Sequence, residues 1–424
     1  MTIKATSHIN RRGFLSGTAA GATLIALHPY SAHAATNQVH LRLMETTDLH
    51  VHVFPYDYYS DKPRDTVGLA RTASIINEIR AEAANSMLLD NGDLLQGNAM
   101  ADQLAQLPVT PTHPLVACLN HLRYDALGLG NHDLDFGLPY LRAVAGALDM
   151  PLVSTNLHLS EPGPLRQWAI VPCPLPSAEG RPSSTLRIGL LSVLPGKTAI
   201  WNRDVLEDEA KITCPLESLR SAAPKLRAAG ADLIVLLAHM GIADEAESVT
   251  EEDVCALAEV DGIDAVITGH THRRFPGQDH SARSGVDTQT GTLSGRPAAM
   301  PGFGGSDLAV LELALERDAG GLWTVARHES RLRCNSAETL ADPVVLSAAR
   351  LSHIGVRSHL EEIVGHTDRA LHNFFSLAMP TAIDALTAYY EVVGAKNPHS
   401  YQTVAINRTI EAVIRGDKRT LLTM

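Results

Sequence analysis

Histidine, aspartate and asparagine residues recur in five short loops of the sequence, each directly after an apolar run that predicts a strand. The loops are Asp48-Leu49-His50, Asn91-Gly92-Asp93, Asn131-His132-Asp133-Leu134-Asp135, Ala238-His239-Met240-Gly241 and Gly269-His270-Thr271-His272. Carboxylate, amide and imidazole groups suit hard to borderline divalent ions such as Mn²⁺, Zn²⁺, Co²⁺ or Fe²⁺, and these loops contain no thiolate. The residue types therefore predict metal chemistry.

Each loop alone also has an ordinary structural explanation. A Gly-Asp pair such as the one ending at Asp93 is typical of an Asx turn, and a single histidine after a buried strand, such as His239, is often structural. Asp48 and His50 would share one face of an extended segment, and we expect His52 to be a neighbour rather than a ligand. The metal hypothesis is favoured because all five loops follow predicted strands, and ligands collect at the carboxyl edge of such sheets.

A carboxylate shared by two ions would hold them roughly 3.5 to 4 Å apart. Such a pair stabilises both the attacking and the leaving oxygen of an in-line displacement, which is the requirement of phosphate ester hydrolysis. The sequence therefore favours a two-metal phosphoesterase.

The elements that must position these loops are strands alternating with helices. Strands are predicted at Leu41 to Thr47, Met87 to Asp90, Ala126 to Leu129, Leu152 to Thr155, Leu186 to Val193, Leu233 to Ala238, Ala265 to Thr268, Ala298 to Pro301 and Leu308 to Leu313. Helices are predicted at Leu69 to Ala84, Pro114 to His121, Leu138 to Ala147, Ser218 to Ala229 and Thr250 to Ala258, and a loop at Asp279 to Gly295. This alternation is typical of a layered α/β fold.

The N-terminus has the pattern of an export signal. Arg11 and Arg12 precede an apolar run from Phe14 to Leu27, and small residues then lead to an Ala-x-Ala type cleavage site at Ala34. The paired arginines predict twin-arginine export to the periplasm, with residues 1–34 as the signal peptide. The alternative is a membrane anchor, but the run is shorter than the roughly twenty residues that span a bilayer.

Composition excludes several classes of protein. A net charge of −12 in 424 residues argues against an electrostatic grip on polymeric nucleic acid, although bound metal ions still permit a small anionic substrate. The five cysteines are scattered with no Cys-x-x-Cys spacing, which excludes the usual thiolate zinc site and leaves one disulfide open. No later apolar run reaches membrane length, so we expect no stable membrane anchor in the mature protein.

In their order and spacing, these motifs resemble the calcineurin-type metallophosphoesterase signature. Their surroundings resemble more closely the bifunctional 2′,3′-cyclic-nucleotide 2′-phosphodiesterase/3′-nucleotidases of the 5′-nucleotidase superfamily. The stretches that carry this likeness are residues 44–50, 56–59, 68–74, 90–97 and 301–305, and it covers residues 39 to 365. The resemblance implies an α/β fold built as a four-layer α/β/β/α sandwich.

The resemblance also implies roles for particular residues. One metal would be held by Asp48, His50, Asp93 and His272, and the other by Asp93, Asn131, His239 and His270, with Asp93 bridging. His132, paired with Asp135, would stabilise charge at phosphorus or assist the leaving oxygen, and the nucleophile would be a metal-activated water.

The domain boundaries follow from the same likeness. We expect a metallophosphoesterase domain at 39–340, a linker helix at 341–362, and only the start of the family's C-terminal nucleotidase domain at 363–424. Because that domain supplies the aromatic side chains that sandwich the nucleobase, the resemblance supports the metal chemistry better than the substrate.

The expected activity is hydrolysis of 2′,3′-cyclic nucleotides and 3′-nucleotides. Three alternatives stay open: a 5′-nucleotidase, an exported thiosulfate-type hydrolase of the same superfamily, and a truncated metal-binding remnant with little nucleotide activity. The expected partners are a small nucleotide substrate and the twin-arginine export machinery.

Overall fold

The computed structural model describes residues 38–83, 85–175, 184–243 and 253–376, and only the backbone for Ser184 and residues 363–376. Contacts divide the chain into two units, Met1–Thr36 and Asn37–Met424, and every described residue belongs to the second unit. The predicted signal peptide and most of the predicted C-terminal fragment lie outside the described residues.

Seventeen strands lie in the described part of the chain. They are β1 (Gln38–Thr46), β2 (Tyr56–Asp57), β3 (Lys62–Pro63), β4 (Ser86–Asp90), β5 (Ala126–Leu127), β6 (Leu157–Leu159), β7 (Ala169–Leu175), β8 (Ser184–Val193), β9 (Ala210–Ile212), β10 (Leu233–Ala238), β11 (Ala265–Thr268), β12 (Arg274–Phe275), β13 (Val286–Asp287), β14 (Thr292–Leu293), β15 (Arg296–Pro301), β16 (Asp307–Arg317) and β17 (Trp323–Cys334).

The described helices alternate with these strands, as the sequence predicts. They are α1 (Leu69–Glu82), α2 (Ala99–Leu104), α3 (Pro114–Leu122), α4 (Leu138–Ala147), α5 (Thr198–Trp201), α6 (Arg203–Leu206), α7 (Pro215–Ala228), α8 (Val254–Ala258) and α9 (Pro343–Ser376), with a 3₁₀ turn at Asn131–Leu134.

Two mixed sheets form the centre of the unit. The first has the order β17-β16-β1-β4-β5, in which β1, β4 and β5 are parallel. The second has the order β13-β14-β15-β11-β10-β8-β7, in which β8, β10, β11 and β15 are parallel and β12 pairs with β15. Of the parallel strands that precede the predicted ligand loops, β1, β4 and β5 thus belong to the first sheet and β10 and β11 to the second.

The sheets pack face to face and helices cover their outer faces. Alternate apolar residues of both sheets, such as Leu43 and Val235, share one buried core, while Met44 packs with the helices outside the first sheet and Leu236 with those outside the second. This arrangement is the predicted four-layer α/β/β/α sandwich. Successive side chains of a strand point to opposite faces of its sheet, so each central strand contributes to the core between the sheets and to the core beneath its helical layer.

Two long edge strands escape prediction from the sequence. β7 contains Pro172 and Pro174, which remove backbone donors and occur in sheets mainly at edges. β17 is mostly polar and half-exposed along its length, so its apolar alternation is weak. Both lie at the ends of their sheets, where one flank of each strand has no neighbour and the sequence signal is weakest.

Other predicted elements are corrected locally. The strand predicted at Leu152 to Thr155 is only a pair of isolated bridges, at Leu152 and Val153, because it contacts the sheet edge without continuing a ladder. The loop predicted at Asp279 to Gly295 contains the β13–β14 hairpin. The start predicted for α8, at Thr250, lies outside the described residues.

Helix α9 packs against α1, α2 and α3, with Val345, Ala349 and Val356 in the core of the first sheet's helical layer. It continues past residue 362, where the sequence predicts the end of the linker helix. None of the helices that the structure describes combines the length and the apolar character needed to cross a membrane. The five cysteines, all among the described residues, are free thiols.

Candidate metal centre

The ligand loops leave their strands in sharp turns rather than in extended segments. Asp48, His50, Asp93, His270 and His272 all have positive φ, between 44° and 72°. This conformation is uncommon for residues other than glycine and costs on the order of 1 kcal/mol or more each, so the surrounding structure must impose it. The sequence-based argument that Asp48 and His50 share an extended face is therefore wrong, although the two side chains do converge.

Backbone hydrogen bonds hold the first turn in this strained form. The Asp48 N–H donates to the Gly92 carbonyl (2.9 Å) and the His50 N–H to the Asp93 carbonyl (2.9 Å), which ties the loop after β1 to the loop after β4. Asn98 Nδ2 donates to the His50 carbonyl (2.6 Å). The two loops are thus one rigid unit.

Asp48, His50 and His272 form the first group of candidate ligands. Their donor atoms all lie within 4.8 Å of one another, and the His50 and His272 Nε2 atoms approach to 3.0 Å. Asp48 Oδ1 is 3.9 Å from His50 Nε2 and 3.5 Å from His272 Nε2. A cation between these atoms would satisfy all three.

Asp93, His239 and His270 form the second group, and their donor atoms also lie within 4.8 Å of one another. Asp93 Oδ2 lies 3.0 Å from His239 Nε2 and 4.0 Å from His50 Nε2, so this carboxylate stands between the two groups. Its other oxygen, Oδ1, accepts the backbone N–H of His132 at 2.8 Å. Asp93 therefore has the position that a bridging ligand requires.

Asn131 lies in the 3₁₀ turn after β5 and is buried. Its Oδ1 has no hydrogen-bond partner among the described residues. The turn is shaped by Asp133, whose carboxylate accepts the backbone N–H groups of Gly130, Asp93, Leu94 and Leu95. Asp133 is thus fully used in joining two ligand loops, and Asn131 keeps a free amide oxygen.

Carbonyl acceptors fix the orientation of two imidazoles. His50 Nδ1 donates to the Gln96 carbonyl (2.6 Å), and His239 Nδ1 donates to the Asn91 carbonyl (2.9 Å). In both rings Nε2, the atom that faces the carboxylates, is then the nitrogen available to a metal ion, which is how proteins orient metal-binding histidines. Asn91 also donates through Nδ2 to the Ala238 carbonyl (3.1 Å), so it joins the edges of the two sheets.

Burial and charge act in opposite directions on the ionisable groups. Burial raises the pKa of Asp93, but the neighbouring histidines, His239 foremost, together outweigh it and hold the pKa below its ordinary value. Burial lowers the pKa of His239, but Asp93 and Asp48 raise it to about 10. Burial and the nearby His239 lower the pKa of His270 to about 4, so this imidazole is neutral at pH 7. A divalent ion would compete with the proton of His239 for the same site.

His132 stands beside both groups without belonging to either. Its Nδ1 donates to Asp135 Oδ2 (2.7 Å), and its ring lies 5.5 Å from that of His50, with 42% of the side chain exposed. Burial lowers the pKa of His132, but the hydrogen bond to Asp135 and the charges of Asp93, Asp135 and Asp133 together outweigh it, so the net shift is upward. Its Nε2 is left free to meet a substrate.

Aromatic rings flank the centre on two sides. Trp201 stacks on His270 with 5.7 Å between centroids, and Phe303 stacks on His272 with 4.8 Å. The guanidinium of Arg64 lies over Phe303, 5.5 Å from the ring centroid. These contacts hold the two imidazoles of the Gly-His-Thr-His loop in place.

A cavity of about 490 Å³ opens onto the first ligand group. His50, His132 and His272 form its inner wall, and its outer wall is largely aromatic, from Tyr56 to Tyr59 and at Phe303. His52 lies in the wall as well, with Nδ1 donating to the Leu49 carbonyl, and not in either ligand group. The cavity has room for a small molecule beside the candidate metals.

The structure thus brings together six of the ligand residues named from the sequence, and it buries the seventh, Asn131, with an unpartnered amide oxygen in the turn after β5. Nothing in the sequence pattern points to Trp201 and Asn202, although Asn202 Nδ2 donates to Asp135 Oδ1 at 2.8 Å. These two residues lie where two short helices meet rather than after a strand, and 67 residues separate Asn202 from Asp135. Only the tertiary fold reveals the contact.

This chain belongs to the calcineurin-like phosphoesterase family, whose sequence pattern matches residues 41–274. The matched region contains both ligand groups, the His132–Asp135 pair and the strands that carry them. The fold and the site thus define a metallophosphoesterase, a class that works with divalent metal ions.

Two curated relatives with the same name are similar to this chain over most of its length. The chain is 36% identical over 406 residues to a 2′,3′-cyclic-nucleotide 2′-phosphodiesterase/3′-nucleotidase of Salmonella typhimurium, covering 93% of this chain and 60% of the relative. It is 35% identical to a protein of the same name from Yersinia enterocolitica, covering 88% and 56%. The chain therefore spans less than two thirds of the length of either relative.

Solved structures agree with the fold. The calcineurin-like phosphoesterase YfkN of Bacillus subtilis superposes with a TM-score of 0.70 at 32% identity, covering 76% of this chain and 99% of that one. A 5′-nucleotidase precursor of Thermus thermophilus superposes with a TM-score of 0.57 at 23% identity, covering 76% of this chain and 59% of that one, which shows a shared fold.

Proposed function

We propose that this protein hydrolyses phosphate esters of 2′,3′-cyclic nucleotides and 3′-nucleotides. The observation that carries the proposal is the position of Asp93 between two three-residue ligand groups, with His132 beside both. The names of the Salmonella and Yersinia relatives support the substrate class.

The residues present fit a pair of divalent cations. Asn131 Oδ1 is buried and has no hydrogen-bond partner among the described residues, which a metal ion would remedy. His239 Nε2 lies 3.0 Å from Asp93 Oδ2, so one cation could bind both atoms. The donor set of carboxylate, amide and imidazole suits Mn²⁺, Zn²⁺, Co²⁺ or Fe²⁺. When bound, such ions supply a nucleophile at neutral pH and neutralise charge on the phosphate.

The remaining chemistry belongs to residues of the chain itself. Asp135 holds His132, which lines the cavity, through Nδ1, so that Nε2 is the nitrogen left for a substrate. As the bond between phosphorus and the leaving oxygen breaks, His132 donates the Nε2 proton to that oxygen, while the attacking water loses its own proton to solvent. General acid catalysis of this kind contributes about 10² to 10⁴ in rate.

The cavity beside His132 is proposed to receive the nucleoside. Its aromatic wall, from Tyr56 to Tyr59 and at Phe303, offers faces and edges to a flat base, and the Arg64 guanidinium adds positive charge near an anionic substrate. The net charge of −12 argues against a polymeric nucleic acid as partner.

Substrate profiling tests the proposal. Purified protein starting at Ala35 and loaded with Mn²⁺ or Co²⁺ should hydrolyse 2′,3′-cyclic AMP and 3′-AMP faster than 5′-AMP. A clear preference for 5′-AMP would contradict the proposal and favour a 5′-nucleotidase. Turnover of bis(p-nitrophenyl) phosphate without turnover of any nucleotide would favour a catalytic domain that lacks nucleotide recognition.

We also propose that the protein is exported to the periplasm by the twin-arginine machinery. The support is the sequence pattern alone, Arg11-Arg12 before the apolar run from Phe14 to Leu27. Replacing both arginines by lysine should leave the unprocessed protein in the cytoplasm, whereas the unaltered chain should be cleaved and periplasmic. Equal periplasmic levels of the two proteins in cell fractionation would reject this route.

A further inference from the structure

Asn202 makes a hydrogen bond that reaches the active site through another residue. It lies in the turn between α5 and α6 and is 6% exposed. Its Nδ2 donates to Asp135 Oδ1 (2.8 Å), while Asp135 Oδ2 accepts from His132 Nδ1 (2.7 Å). The two oxygens of Asp135 are therefore held by two different donors, one on each side.

The turn that carries Asn202 is itself fixed. The Asn202 N–H donates to the Thr198 carbonyl (2.9 Å), and its own carbonyl accepts from Val205 (3.0 Å) and Leu206 (2.9 Å). The adjacent Trp201 stacks on His270 of the second ligand group. Because the backbone is anchored in both short helices, Asn202 presents its amide to Asp135 from a stationary position.

Asp135 needs such an anchor. Its side chain is 31% exposed and lies beside the short turn that carries His132, so a single hydrogen bond to the imidazole would leave its carboxylate free to rotate. The amide of Asn202 removes that rotation, and the imidazole can then keep the direction of its Nε2. Small errors in such directions have large kinetic effects.

We propose that Asn202 is a positioning residue that orients His132 through Asp135 for proton donation to the leaving oxygen. The inference rests on the proposed function, because it assumes that His132 protonates that oxygen as the phosphorus–oxygen bond breaks. Asn202 is not among the predicted metal ligands, and its side chain reaches His132 through Asp135. Its effect therefore depends on how much the leaving group needs a proton.

The test compares two leaving groups in the Asn202→Ala variant. Hydrolysis of a 3′-nucleotide releases the nucleoside through its 3′-oxygen, a poor alkoxide leaving group that needs the proton, whereas p-nitrophenolate leaves readily without it. We expect kcat for 3′-AMP to fall about tenfold or more and kcat for p-nitrophenyl phosphate to fall less than about threefold, with both KM values unchanged. An equal fall for the two substrates would overturn the proposal.

The ratio of the two kcat values keeps the test valid if the variant is partly unfolded. Both substrates are measured on one preparation, so the ratio does not depend on the active fraction. Asn120→Ala is the control, since Asn120 is half-buried and its side chain is also hydrogen-bonded, to the Ala147 carbonyl, but it lies on α3, which carries none of the site residues. That variant should leave the ratio unchanged.

A double variant tests the path of the effect. If Asn202 acts only through Asp135, then Asn202→Ala combined with Asp135→Ala should show the same kcat ratio as Asp135→Ala alone. A multiplied loss would contradict the path. If the unaltered protein turns over no nucleotide, phenyl phosphate replaces 3′-AMP as the poorer leaving group, so failure of the nucleotide proposal and failure of this inference give different results.

Discussion

Two buried carboxylates, Asp48 and Asp93, face each other across four imidazoles at the centre of this site. Burial alone raises the pKa of both, and the surrounding histidines, His239 foremost, together hold each pKa below its ordinary value. Buried like charges are tolerated only when a cation lies between them. At the scale of single residues, the site is therefore built for positive charge.

Asp93→Ala tests this arrangement most directly. Since Asp93 stands between the two ligand groups, its removal should abolish tight binding of both ions and reduce turnover by at least about 10³. Calorimetric titration with Mn²⁺ and an assay with bis(p-nitrophenyl) phosphate measure the two effects. Asp149→Ala, which removes an exposed carboxylate remote from the site, is the control and should change neither. Retained binding of one ion would show that Asp93 serves a single group.

At the scale of elements, the turns after the strands matter more than the strands. The loop after β4 continues from Asp93 to Gly97, and Gly97 has a φ of 140°, where side chains other than glycine are strained. A Cβ placed on Gly97 would lie 2.2 Å from His50 Nδ1. This loop can therefore approach the His50 imidazole closely only because Gly97 has no side chain.

Gly97→Ala should displace His50 and weaken binding of one metal ion by about 10-fold or more, with a parallel loss of activity. Gly146→Ala is a matched control, because a Cβ at Gly146, within helix α4, meets nothing within 4 Å. This control should keep full activity and gain about 0.5 to 1 kcal/mol in the free energy of unfolding, since alanine is the better helix former. Unchanged metal affinity in Gly97→Ala would show that His50 is not held by this contact.

At the scale of the whole molecule, the centre joins two sheets. Asp48, Asp93 and Asn131 follow strands of the first sheet, whereas His239 and His270 follow strands of the second. Any ion held by both sets would therefore bind the folded state and not the separated sheets. The consequence is a coupling between metal occupancy and global stability.

Removal of divalent ions by a chelator should lower the thermal midpoint of unfolding. An ion present at 100 times its dissociation constant adds about 2.7 kcal/mol to the free energy of unfolding, which corresponds to a shift of several degrees. Differential scanning calorimetry with and without Mn²⁺ measures it. In Asp93→Ala the difference between the two conditions should disappear, and an undiminished difference there would mean that the ions stabilise the protein from another site.

The sequence by itself determined the central strands, the residues that follow them and the kind of ion they suit. A buried parallel strand is a continuous apolar run, and its end is marked by the change to polar ligands, so both are local signals. Tertiary structure alone decided how the loops turn: Asp48 and His50 converge through left-handed backbone conformations imposed by the loop after β4, not by strand alternation. It also decided that Asn202 holds Asp135, because a hydrogen bond between residues 67 positions apart leaves no periodic trace in the chain. Contacts of that kind depend on where two separately folded segments meet, and only the packed sheets define that place.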